Sequence, residues 1–430
     1  MSTAFQSTLF GTVPPILGLK EQRRSGTFLD NMKLPVHRWF RYSAGFSAEW
    51  VSAEVNRFDN GINVFDPFAG CGTTLLAAEA AGANAIGQEA HPFVFRVGQA
   101  KLLWNSDIQK FTELSERIIA RAESSKAERA VHKLLSKCYE ESALANIQSL
   151  HQALVEFEAR GPAWSLCWLA FVAILRITSH VGTAQWQYLL PNKSKSRVSS
   201  PFKAYQVMCM LMTSDMHFVQ SQGHLQTAAL VLEDCRKEGL VPDGWADLVI
   251  SSPPYINNYD YADATRLEMT VLGEIDKWGD LQSKVRTNLI RSCTQHVAPY
   301  SKDFSALLET SELLPLRSQM EKVVTALSLE KLSHGGKKNY DSMVVHYFFD
   351  MAAVWHQLRR IARPGSQVCF VVGDSAPYGV HVPVERWHGQ LALAAGFSSF
   401  EFKKIRDRNN KWKNRKHRVP LHEGQLWVNG

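Results

Sequence analysis

The chain has 430 residues, of which 45% are apolar and 21% charged, and it carries a net charge of +7. That length predicts two or three structural units, the composition excludes a disordered chain, and the positive balance favours a polyanionic partner. The seven cysteines (Cys71, Cys138, Cys167, Cys209, Cys235, Cys293 and Cys369) form no CxxC pair, which excludes a disulfide framework or a zinc site and predicts a reduced, intracellular setting without a bound metal.

The first 60 residues open irregularly, with no basic start or long apolar core, so no signal peptide is expected. They end in "LPVHRWFRYSAGFSAEWVSAEV", whose latter part has helical spacing. Residues 62–90 then read as a βαβ unit. A short apolar strand runs into the turn "DPFAGCGTT", an alanine-rich helix follows, and "NAIGQE" forms a second strand expected to lie parallel to the first. Residues 106–228 read as a large helical insertion with a polar break at 190–201. Within it, "AWSLCWLAFVAILRI" (163–177) is too short to span a bilayer and is interrupted by Arg176, so a buried helix is expected and no membrane association. Strands are expected at 228–234 and 246–252, and helices or loops at 275–340. A helix follows at 344–362, then a turn and buried strand at 363–375, and last a basic hairpin or loop returning to a final strand. The order fits one α/β core divided as 1–105, 106–228 and 229–430, the first and last parts being its two halves.

Two places carry chemistry. Asp66, Phe68, Gly70 and Gly72 lie between a strand and a helix, where glycine lets a ligand approach the backbone and leaves helix N–H groups free. No GxGxxG or GxxxxGK[ST] pattern is present, so this is not a phosphate loop. Glu89 closes the next strand, where a carboxylate can accept from both ribose hydroxyls of a nucleoside, and Asp234 ends a third strand, where it can accept from an adenine amino group. The second place is "SSPPY". Pro253 and Pro254 stiffen the backbone past a strand end, at the sheet edge where open α/β folds bind ligands. Ser252 and the Pro253 carbonyl can take both hydrogens of an exocyclic amino group, and Tyr255 can stack on the base that bears it.

"DPFAGCGTT", "GQEAHPF" and "SSPPYINNYDY" resemble the S-adenosylmethionine-dependent amino-methyltransferases of DNA, and the SPPY form is typical of their cytosine-N4 branch. The resemblance covers most of the chain. It implies a Rossmann-like mixed sheet of class I methyltransferase type, with S-adenosylmethionine as cofactor. The cofactor would be held by Asp66, Phe68, Gly70, Gly72, Glu89 and Asp234, with Phe46 and Ser47 near its carboxylate. Ser252, Pro253, Pro254 and Tyr255 would form the catalytic pocket for the target base. The sequence departs from the family at "LEDCRKE", where Gly-Asp is commoner than Glu-Asp. The implied partners are double-stranded DNA and a cognate restriction endonuclease, in the cytoplasm of a bacterium or archaeon. The run at 403–418 has nine Lys or Arg and one Asp. It suits phosphates through Lys403, Lys404, Arg406, Arg408, Lys411, Lys413, Arg415, Lys416 and Arg418. Gln185 and Trp186 are further base-contact candidates. Competing readings are adenine-N6 methylation of DNA, RNA amino-methylation, peptide-glutamine methylation and a scaffold that binds cofactor without turnover. Cytosine-C5 methylation is excluded by the absence of the Pro-Cys nucleophile.

Overall fold

Among the described residues, nine strands form in chain order: β1 (Asn63–Asp66), β2 (Asn84–Gln88), β3 (Val181–Thr183), β4 (Leu189–Ser194), β5 (Ala228–Val231), β6 (Ala246–Ser251), β7 (Ala362–Gly373), β8 (Ser399–Arg408) and β9 (Leu421–Asn429). The computed structural model describes residues 28–42, 45–59, 61–125, 132–158, 161–183, 188–223, 225, 227–256, 259–300, 304–408 and 419–430. Gln185, Trp186, Lys411, Lys413, Arg415, Lys416 and Arg418 lie outside the described residues.

Seven strands make one sheet in the order β5-β2-β1-β6-β7-β9-β8. The first five are mutually parallel, and β9 is antiparallel to both its neighbours. This is the Rossmann-like mixed sheet expected from the sequence. The chain order reverses at β1, which pairs with β2 on one side and β6 on the other, so the crevice for a ligand opens beyond the ends of β1 and β6.

The central strands are apolar because both faces are covered. Alternate residues enter opposite layers. Val64, Leu248, Ile250, Cys369 and Val371 join one cluster. Phe65, Val249, Val368, Phe370 and Val372 join the other. The first layer contains the helices Thr73–Ala80 and Pro92–Leu102 and continues into the insertion helices Ile108–Ser124, Glu141–Glu156, Pro162–Ile174 and Pro201–Ser221. The second is covered by helices Arg317–Ser333, Tyr340–Ile361 and Val384–Ala394.

The insertion is not wholly helical. Part of the expected polar break forms β4, paired antiparallel with β3. The insertion is also tied to the sheet unit by buried charge. Arg176 makes two bonds to Glu268, at 2.5 and 3.0 Å. Asp215 accepts from the Val36 amide at 3.1 Å, from Arg38 at 3.0 and 2.5 Å, and from the Trp39 indole at 2.9 Å. Among the described residues, no helix is long and apolar enough to cross a membrane.

Candidate active site

β1 delivers Asp66 to the carboxyl edge of the sheet, where the side chain is 1% exposed. One oxygen accepts from the Ser251 hydroxyl at 2.6 Å and the Phe68 amide at 2.9 Å, and the other accepts from the Thr74 hydroxyl at 2.5 Å. Burial pushes this carboxyl up to about 6, against the lowering effect of those three donors. Asp66 thereby ties the end of β1 to the end of β6 and to the first turn of the helix after the glycines. Gly70 and Gly72 have φ of +54° and +87°, a region that favours glycine. The turn is also crossed closely by Gly98 of helix Pro92–Leu102, where an added Cβ would lie 2.5 Å from Leu230 and 3.1 Å from the Gly70 carbonyl.

Glu89 lies beside the turn. Its two oxygens accept from the Gly70 amide at 2.9 Å and the His91 amide at 2.7 Å. Burial pushes its carboxyl up to about 7, opposed by those amides. A carboxyl held this high gains from further donors. The ring of Tyr42 covers the turn, 3.3 Å from where a Gly70 Cβ would stand. The Tyr42 phenol is raised well above its ordinary range, first by burial and then by Glu89, Tyr259 and Tyr261.

Phe46 and Ser47 are both 6% exposed and serve the local fold. Phe46 packs edge-on against Trp50 at 5.5 Å, and Ser47 accepts from the Trp50 amide at 3.3 Å to cap helix Ala48–Val55. Phe68 packs against Phe370 at 6.4 Å. Asp234 follows β5 and receives a two-pronged bond from Arg236, at 2.8 and 2.7 Å. Arg236 also pairs with Asp350 at 3.2 Å, and Asp350 holds Arg291 at 2.6 Å.

The SSPPY stretch leaves the end of β6, which is buried along its whole length. Ser252 donates its hydroxyl proton to the Val371 carbonyl at 3.3 Å. Tyr255 is half-buried and lies under Arg408, whose guanidinium carbon is 5.3 Å from the ring centre. Burial first, and the Glu423 charge next, raise its phenol above the ordinary range. The chain beyond is anchored by Asp260, which accepts from Arg286 at 2.6 Å and caps the short helix Tyr261–Ala264. Tyr259 packs edge-on against Tyr261 at 4.5 Å and against Tyr188 of the insertion at 5.3 Å, building an aromatic wall beside the pocket.

Glycine turn, Glu89 and SSPPY thus meet at one sheet edge. Sequence reasoning misses Ser251, Thr74, Gly98 and Tyr42. Ser251 alone has a local signal, as the residue immediately before the tetrad. A cavity of about 490 Å³ lies elsewhere, lined by Val36, Ala48, Ser52, Ala77, Trp104 and Phe218. It is largely apolar and contains none of these groups, so the strand-end crevice is the candidate site.

No protein-family model matches the chain. It is similar to Type II methyltransferases. M.BsoBI of Geobacillus stearothermophilus is 22% identical over 427 residues, covering 90% of this chain and 83% of that protein. M.AvaI of Nostoc sp. is 24% identical over 418 residues, covering 87% and 82%. Among solved structures, the rRNA methyltransferase aviRa from Streptomyces viridochromogenes aligns with a TM-score of 0.27 and 10% identity, covering 100% of this chain and 93% of that one. The sheet order and the near full-length relatives support a methyltransferase.

Proposed function

We propose that the protein transfers a methyl group from S-adenosylmethionine to the exocyclic N4 amino group of cytosine in duplex DNA. The observation that carries this reading is the Asp66–Ser251 bond of 2.6 Å, which joins the glycine turn to the residue preceding the SPPY tetrad. A methyl donor on the turn and a target amine on the tetrad would then share one crevice.

S-adenosylmethionine fits the residues present. The glycine turn offers bare backbone to its methionine part beside the Tyr42 ring, and Glu89 offers a half-buried carboxylate to two ribose hydroxyls. Asp234 is assigned to the adenine amino group; one oxygen already accepts from the Arg236 guanidinium at 2.8 Å and the Arg236 amide at 3.1 Å, and the other, bonded to the guanidinium at 2.7 Å, keeps a lone pair. When bound, the cofactor supplies an electrophilic methyl group. Ser252 accepts one hydrogen of the target amine, and the Pro253 carbonyl accepts the other. Holding both N–H bonds directs the nitrogen lone pair toward the methyl group. Pro253 and Pro254 keep the acceptors in place, and Tyr255 stacks on the base, which must leave the duplex to reach the crevice. Phe46 and Ser47 are assigned near the methionine carboxylate.

On β8, Lys403, Lys404 and Arg406 are assigned to phosphates. In the free protein they pair with Glu401, Asp407 and Glu423. The Lys403 and Lys404 pairs are exposed, hence weak, and exchange readily for DNA, whereas Arg406 is held by a buried carboxylate. The Type II relatives support a place in a restriction–modification system, with an endonuclease reading the same DNA sequence.

The test is mass analysis of nucleosides from cells expressing the protein. N4-methylcytosine is expected. Methylated adenine would keep the mechanism and overturn the base, and methylation of RNA or protein alone would overturn the substrate.

A further inference from the structure

Four basic residues lie on β8, but they do not face the same way. The side chains of Lys403, Lys404 and Arg406 are 60%, 53% and 44% exposed, whereas that of Arg408 is 16% exposed. A register shift between Lys404 and Arg406 breaks the alternation of the strand. Arg408 crosses β9 and reaches the end of β7. Its Nη1 donates to the Asp374 carbonyl at 2.5 Å, and its Nε stands 4.0 Å from Glu423. It lies flat against Gly373, where a Cβ would stand 2.6 Å from Nη1. From there it covers the Tyr255 ring at 5.3 Å.

We infer that Arg408 is a positioning residue for Tyr255, and through that ring for the extruded base, rather than a phosphate contact. The inference rests on the reading of SSPPY as the target-base pocket. A guanidinium held by a carbonyl and a carboxylate gives the ring a fixed cationic backing. One face of Tyr255 is thereby occupied and the other is offered to the base. Gly373 is part of the same device, since any side chain there displaces the guanidinium.

The experiment compares Arg408→Met, Arg408→Lys and Gly373→Ala with wild type. The first readout is the ring signal of Tyr255 in carbon-13 tyrosine-labelled protein without DNA, assigned with Tyr255→Phe. It is expected to move in Arg408→Met and Gly373→Ala; an unmoved signal overturns the inference whatever the substrate. The second is single-turnover methylation of duplex DNA at several salt concentrations. Turnover is expected to fall about tenfold in Arg408→Met and Gly373→Ala, with the slope of log affinity against log salt unchanged. Arg408→Lys keeps the charge without the planar group and is expected not to restore turnover. A slope reduced by about 0.9 with turnover intact would make Arg408 a phosphate contact and overturn the inference. Gly373→Ala retains the arginine, so the pairing with Tyr255 remains testable if Arg408→Met does not fold. A wild type that methylates no DNA would instead overturn the proposed function, while the ring signal still decides whether Arg408 backs Tyr255.

Discussion

Lowering the pH from 8 to 6 is expected to weaken S-adenosylmethionine binding about tenfold, through Glu89. Burial lifts its carboxyl from the ordinary 4.5 to about 7. Only the ionised form can accept two ribose hydroxyls while its oxygens hold the Gly70 and His91 amides. A group titrating near 7 is roughly nine-tenths ionised at pH 8 and one-tenth at pH 6, so affinity falls by that ratio. Glu89→Gln should bind about 1.5–3 kcal/mol more weakly at pH 8, the scale of lost hydrogen bonds to a charged acceptor. It should also lack the pH step. Isothermal titration calorimetry of both proteins across pH 6–8 is the assay, and subtracting the variant removes titration of the ligand itself. The folding effect runs the other way. A carboxyl raised in the folded state contributes stability below its unfolded value near 4.5, and that stability is lost as pH rises through about 7. The Tm of Glu89→Gln relative to wild type should therefore rise between pH 5 and pH 8. Equal wild-type affinity at pH 6 and 8, in folded protein, would refute the assignment of Glu89.

Gly72→Leu should abolish cofactor binding, because the turn needs φ of +87° and a side chain there would press on Gly98 of the helix that crosses the turn and so displace the turn; normal affinity in the folded variant would defeat this reading of the turn. Ser252→Ala should lower turnover more than DNA affinity, since the missing acceptor matters most as the nitrogen becomes tetrahedral. Tyr255→Ala should cost about 1–3 kcal/mol of stacking, measured by competition binding to a target-containing strand. Replacing Lys403, Lys404 and Arg406 with Met should flatten the salt dependence of DNA affinity by about 0.9 for each phosphate no longer neutralised, and an unchanged slope would mean a solvated strand.

Much of the framework is legible in local pattern. The βαβ unit can be read because its apolar strands, glycine turn and alanine-rich helix are contiguous. SSPPY can be read because two prolines after a buried strand demand a reason. What escapes depends on pairing between distant segments. Ser251 bonds to Asp66 across 185 positions of sequence, and nothing in either stretch announces it. β4 reads as a polar break because "LPNKS" lacks strand alternation; its pairing with β3 supplies the missing order. Arg408 groups with its basic neighbours because composition ignores the register shift that turns it inward. Asp234 reads as the end of the third strand, but β5 stops at Val231 and the acid lies past it, held in a chain of Arg236, Asp350 and Arg291 that local pattern does not show.

The buried charge joining the insertion to the sheet limits how recognition can be re-engineered. Exchanging residues 106–228 for a block without counterparts of Arg176 and Asp215 would remove both anchors together. Glu268, 1% exposed, would be left without its guanidinium, and Arg38 and Trp39 without their acceptor. Orphaning a buried charge costs about 3–5 kcal/mol, enough by itself to undo a marginally stable chimera. A graft that keeps its fold must therefore carry both anchors with it, or be cut inside them.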